Sequence, residues 1–200
     1  MPIKLASFFN VILSIIGKVI AGMSMSLDGY INDHKGSVEK LYSDFAEFHD
    51  APTFQKMIKN TGAVVMGRHV YEMQDPFLWA NETYEFQTPI FVLTHTPPAT
   101  YPKGNDRLSF IFVTDGIESA ISQAKKAAGK KDVQVIGAST IQQCLNAGLC
   151  DELQIDSMPV LLGSGQKMFE HIDFEKIKLE RIKVEATTQV RTSMTFRLVK

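Results

Sequence analysis

Apolar residues along this chain recur in two rhythms. Short apolar runs predict buried strands: Lys18 to Met25, Ala63 to Met66, "PIFVLT", "LSFIFVT" and "DVQVIG". Between them, apolar positions return at helical spacing. "VEKLYSDFAEFHDAPTFQKMIKNTG" predicts two helical pieces broken near Pro52, with Gly62 as the C-terminal stop. His69 to Gln74 predicts a short helix ended by Asp75-Pro76. Asp115 to Lys126 opens on Asp115-x-x-Glu118, a capping-box spacing, and sets Ile117, Ile121 and Ala124 on one face. The next helix opens on Ser139-x-x-Gln142 and buries Ile141, Cys144 and Leu145 before Gly148.

The last third changes character. "ELQIDSMPV" predicts a strand, "LLGSGQKMF" a glycine-containing loop, and "KIKLERIKVEATTQVRTSMTFRLV" a closing hairpin. Strands alternating with helices imply a largely parallel sheet covered on both faces, and the hairpin adds antiparallel edge strands. The pattern is that of one α/β domain over residues 18–200. The apolar stretch "LASFFNVILSIIG" precedes it and is shorter than the ~20 residues of a spanning helix. Signal cleavage after Ala21 or Gly22 would remove the first strand, so residues 1–17 read as an extension: a start-site artefact, or a segment that docks on the domain or on a partner.

Composition narrows the classes of function. At 200 residues and 44% hydrophobic, the chain can bury one sizeable core. A net charge of −1 offers no broad basic surface to nucleic acid or membrane. Cys144 and Cys150 show no framework spacing, which suits a reducing cytoplasm. The histidines lie far apart and form no metal motif. Trp79 reads as a packing anchor for a long loop in preference to a lid over a planar ligand, and "LLGSGQ" as a flexible loop without a nucleophile elbow.

Open parallel sheets bind ligands beyond the C-terminal ends of their strands. Two strand-to-helix junctions share one design there: Met66-Gly67-Arg68, and Ile136-Gly137-Ala138-Ser139-Thr140. Small residues let backbone approach a phosphate, and a helix N-terminus attracts its charge. Two such cradles suit a dinucleotide. A tight turn with a surface arginine accounts for Gly67-Arg68 equally well.

"MSMSLDGYI", "VVMGRHVYE", "PIFVLTHTP", "VIGAST" and "DELQIDSMPVLLGSGQKMF", in this order, resemble the dihydrofolate reductase-like superfamily. The similarity is greatest to the reductase domain of riboflavin biosynthesis and its stand-alone relatives, and it spans about residues 18–199. It implies a three-layer α/β fold with an eight-stranded, mostly parallel sheet and an antiparallel last strand, often dimeric. It also implies an NADPH-dependent reductase of a small heterocyclic substrate. By match, Gly67, Arg68 and His69 face the adenosine end of NADPH, with Thr94 near the same phosphate. Gly137, Ala138, Ser139 and Thr140 cradle the pyrophosphate. Ser26, Leu27 and Asp28 line the nicotinamide or substrate side.

The chain departs from the family pattern at three places. Val70 stands where the family usually has threonine, and Ala138 replaces the second of two glycines. Folate reductases carry a carboxylate in the helix before the "MGR" strand; that position falls at about Ala51, with Asp50 beside it. Asp28 and Asp50 are therefore the candidates for substrate contact or proton delivery. The alternatives to a riboflavin-type reductase are a dihydrofolate- or pterin-type reductase and a non-catalytic NADPH-binding module.

Overall fold

The computed structural model describes residues 17–80 and 84–199, so the expectations for residues 1–16 lie outside it. Eight strands form one sheet in the order β4-β3-β2-β5-β1-β6-β8-β7. They are β1 (Val19–Ser26), β2 (Thr61–Gly67), β3 (Ile90–Leu93), β4 (Phe110–Val113), β5 (Asp132–Ile136), β6 (Glu152–Met158), β7 (Leu179–Ala186) and β8 (Thr192–Leu198). β4 through β6 pair in parallel, while β8 runs antiparallel to both β6 and β7. The closing hairpin thus forms as expected, but its second strand inserts against β6 and leaves β7 as the edge.

β2 carries apolar residues on both faces because both are covered. On β2, Ala63 and Val65 join one core with Ile121 and Ala124 of α4 (Ile117–Ala128) and Ile141 and Cys144 of α5 (Ala138–Asn146). Val64 and Met66 point the other way, into a second cluster with Tyr71 and Phe86. α1 (Phe45–Asp50) and α2 (Pro52–Asn60) cover this second face, bringing Phe48, Ala51 and Phe54 together. The four-residue α3 (Arg68–Tyr71) follows β2 directly. Among the described residues, no helix is long and apolar enough to cross a membrane.

Three local expectations are corrected. Gly62 does not stop α2; Thr61 Oγ1 closes that helix by donating to the Met57 carbonyl at 2.7 Å. Gly62 already lies in β2, where a Cβ would stand 2.8 Å from Cα of Ala128. Neither capping box forms. α4 and α5 start from Gly116 and Gly137, with no side-chain cap on either. Both glycines have positive φ, at 103° and 95°, so each chain turns sharply into its helix before a serine or aspartate can cap it.

Candidate active site

The C-terminal ends of β2 and β5 open into a cavity of about 710 Å³. Gly67, His69, Gly137, Ala138, Ser139 and Thr140 all line it, so the two junctions singled out in the sequence converge. They do more than converge. A Cβ on Gly67 would stand 2.8 Å from Thr140 Oγ1, and one on Gly137 would stand 2.6 Å from Val70 Cγ2. Each turn packs against the helix that follows the other, and at Gly137 the positive φ of 95° adds a second reason for glycine. With no side-chain cap, the first-turn N–H groups of α5 remain available to an anion.

Arg68 and Thr94 do not line the cavity. Arg68 Nε binds Glu72 Oε1 at 2.8 Å, and its Nη1 reaches the Thr96 carbonyl at 3.4 Å. Thr94 Oγ1 donates to that same carbonyl at 3.0 Å. Residue 96 therefore joins the two side chains expected near one phosphate.

Asp28 and Asp50 lie elsewhere. The Asp28 carboxylate accepts hydrogen bonds from Ser26 Oγ and from the backbone N–H groups of Leu162 and Gly163. The Ser26 hydroxyl, with these N–H groups and against some desolvation, lowers its pKa to about 2. A carboxylate so committed ties the "LLGSGQ" loop to the turn after β1 and is poorly suited to proton delivery. The loop is anchored again where Ile31 N–H meets the Gln166 carbonyl. Asp50 points to solvent, 86% exposed, beside His49 at 3.2 Å. The neighbouring Ala51 is buried between Phe48 and Phe54, so α1 sends no carboxylate inward.

A second, inner chamber of about 200 Å³ continues from the first, sharing Met23, Tyr42, Val70 and Trp79 as walls. Trp79 is an anchor as expected, its Nε1 donating to the Tyr71 carbonyl at 2.8 Å. Its ring also meets Tyr84 edge-on, and both rings face the ligand space. The inner chamber's sheet-side wall is polar: Ser24, Gln134, Gln154 and Asp156. Sequence reading passed over these residues. The available signal was polarity in central strands, Gln134 within "DVQVIG" and Asp156 within "ELQIDSMPV".

Between Ser24 of this wall and Phe48 lies a fully buried cation. Arg191 Nη2 binds Asp44 Oδ1 at 2.6 Å, Nη1 donates to Ser24 Oγ at 2.6 Å, and the guanidinium stacks over Phe48 at 4.1 Å. Burial opposes ionisation of Asp44, but hydrogen bonds from Arg191 and Thr188 outweigh it and hold the carboxyl below its ordinary range. Asp156 behaves oppositely: burial raises its pKa despite the hydrogen bond from Ser193 Oγ and the nearby positive charge of Arg191.

Comparison with known proteins places these features in a family. Residues 17–192 match the family model described as the RibD C-terminal domain. Among curated proteins, the chain is 24% identical over 168 residues to the uncharacterized protein YyaP of Bacillus subtilis, covering 82% of this chain and 86% of that one. Among solved structures, it resembles a putative riboflavin biosynthesis protein from Shewanella sp. PV-4 with a TM-score of 0.72. That match has 26% identity and covers 92% of this chain and 99% of the other. A dihydrofolate reductase from Enterococcus faecalis, solved with NADP(H), shares the fold at a TM-score of 0.56 and 16% identity, over 92% and 98% of the two chains.

Proposed function

Because the chain belongs to the RibD C-terminal domain family, we propose that it is an NADPH-dependent reductase of a small heterocyclic substrate, similar to 5-amino-6-(5-phosphoribosylamino)uracil reductase. The observation that carries this reading is the joined pair of cavities. The outer one adjoins the glycine turns at 67 and 137, and the inner one is walled by aromatic rings and a polar sheet face.

The residues present fit a dinucleotide. Small side chains at Gly67, Gly137 and Ala138 let backbone approach a pyrophosphate, and α5 offers uncapped N–H groups. Ser139 and His69 line the same space. Arg68, between the cavity-lining Gly67 and His69, would meet the adenosine 2′-phosphate. NADPH, when bound, supplies the hydride. The protein's own part is to hold the acceptor flat against the sheet, exclude water through Trp79 and Tyr84, and provide a proton.

A cytoplasmic homodimer completes the reading. Both cysteines are buried in the apolar core, as suits a reducing compartment. The edge strand β7 exposes Leu179, Ile182 and Val184, an apolar row that a second copy would cover.

The test is NADPH oxidation followed by absorbance, with an aminopyrimidine ribose phosphate and with dihydrofolate as acceptors. Turnover with either supports a reductase, and the better acceptor identifies the branch. Tight NADPH binding with no turnover on a broad panel of acceptors would favour a binding module instead.

A further inference from the structure

The inner chamber holds one polar group that the fold leaves unspent. Gln134 is 4% exposed, and its Nε2 has no hydrogen-bond partner. A donor buried so deeply is rare unless water or a ligand meets it. Its position is set by the sheet. Gln134 on β5 pairs across from Ile20, while Gln154 and Asp156 on β6 pair across from Gly22 and Ser24. Gly22, which has no side chain, lies on β1 between the positions opposite Gln134 and Asp156, and both of these side chains line the chamber. Phe48, Phe54 and Met57 close the opposite side. The result is a slot with one apolar, aromatic wall and one polar wall.

Asp156 is 7% exposed, and the groups around it do not compete for its proton. From β8, Ser193 Oγ donates to Oδ1 and itself accepts from Thr187 Oγ1. The Arg191 charge is engaged by Asp44 at 2.6 Å. Tyr42 is held neutral by burial. Gln154 donates from the same strand, and Tyr84 and Glu85 face the chamber from the long loop. Burial raises the Asp156 pKa, so a neutral carboxyl persists to higher pH than on an exposed aspartate.

We propose that Asp156 is the proton donor of the acceptor site and that Gln134 orients the acceptor. A planar, uncharged heterocycle in the inner chamber accepts a hydrogen bond from Gln134 Nε2 and a proton on a ring nitrogen from the Asp156 carboxyl. When hydride arrives at the carbon of a ring C=N bond, the nitrogen's electron pair takes the proton and the O–H bond of Asp156 breaks. The carboxylate left behind is reprotonated from water. The acid thus comes from strand β6, where α1 offers only Ala51. The proton-transfer half rests on the reductase reading; the binding half does not.

The test separates the two halves. Carbon-13 NMR of the unliganded wild-type protein should show the Asp156 carboxyl still neutral at a pH where exposed aspartates are ionised. Pterin, titrated by its own fluorescence without cofactor, should bind the wild type. Gln134→Leu should weaken it about tenfold through loss of one hydrogen bond, whereas Asp156→Asn should change it little. In NADPH oxidation with dihydropterin, Asp156→Asn should lower kcat by ~10²-fold or more with KM nearly constant. The wild-type rate should fall as pH rises through the Asp156 pKa. If pterin binding depends on Gln134 and Asp156 is neutral but NADPH is never oxidised, the reductase reading fails and the heterocycle site stands. An ordinary, acidic titration of Asp156 overturns the proton donor. Absence of binding by both pterin and 2,4-diaminopyrimidine, or binding indifferent to Gln134→Leu, overturns the site.

Discussion

Val70 Cγ2 occupies the space that a side chain at Gly137 would need, 2.6 Å from where its Cβ would lie. Two turns far apart in sequence are therefore one packed unit, and a ligand at one feels the other. Val70 itself is engaged in this contact. Gly137→Ala should destabilise the protein by about 1–3 kcal/mol, from left-handed backbone strain together with overpacking. Denaturant unfolding measures this directly. Adding Val70→Ala should recover the overpacking part and leave the strain, so equal stabilities for the single and double variants would show that the contact is not tight.

The two buried aspartates should give opposite pH dependences. Asp44, with its pKa lowered in the fold, stabilises above its unfolded value, and that stability is lost as pH falls through the folded pKa. Asp156, with its pKa raised, contributes stability below its unfolded value, and that contribution is lost as pH rises through the folded pKa. Asp156→Asn should therefore gain stability over the wild type at pH 7 relative to pH 4. Asp44→Asn leaves the fully buried Arg191 unpaired and should cost about 3–5 kcal/mol at pH 7. Thermal melts of both variants across this range check the signs. A difference between Asp156→Asn and wild type that does not vary with pH would show that Asp156 is ordinary.

The exposed apolar row on β7 predicts assembly. Light scattering at micromolar concentration should give the mass of two chains. Val184→Glu, on a side chain 51% exposed, should give one chain without loss of cooperative unfolding. A monomeric wild type would remove β7 as an interface.

The sheet was legible because strand and helix rhythms differ, and the central strands are apolar enough to show it. β2 and β5, with their glycine exits, were found from residues alone, and those exits do line the cavity. The helix starts were misread because capping boxes compete with positive-φ glycines, and only the backbone decides between them. The surroundings of the acids were hidden for a different reason. Asp28 lies beside a turn signal, which hid that its carboxylate caps a loop more than a hundred residues away. Asp156 and Arg191 gain their environments from β8 and the segment before α1, a meeting that no local pattern encodes.

Arg68 gives the most direct test. Its present partner, Glu72, makes an exposed i,i+4 pair that contributes only about 0.3–0.5 kcal/mol. Hydrogen bonds to a phosphate dianion contribute roughly 1.5–3 kcal/mol, so a 2′-phosphate should draw Arg68 away from Glu72. Titration of the wild type with NADPH and NADH, followed by nicotinamide fluorescence, should show saturable binding with NADPH about ten- to hundredfold tighter. Arg68→Ala should bring NADPH down toward the NADH level and leave NADH nearly unchanged. Failure of the wild type to bind either dinucleotide would contradict the nicotinamide-dependent reading. Equal losses for both cofactors in Arg68→Ala would leave Arg68 as a residue of the turn alone.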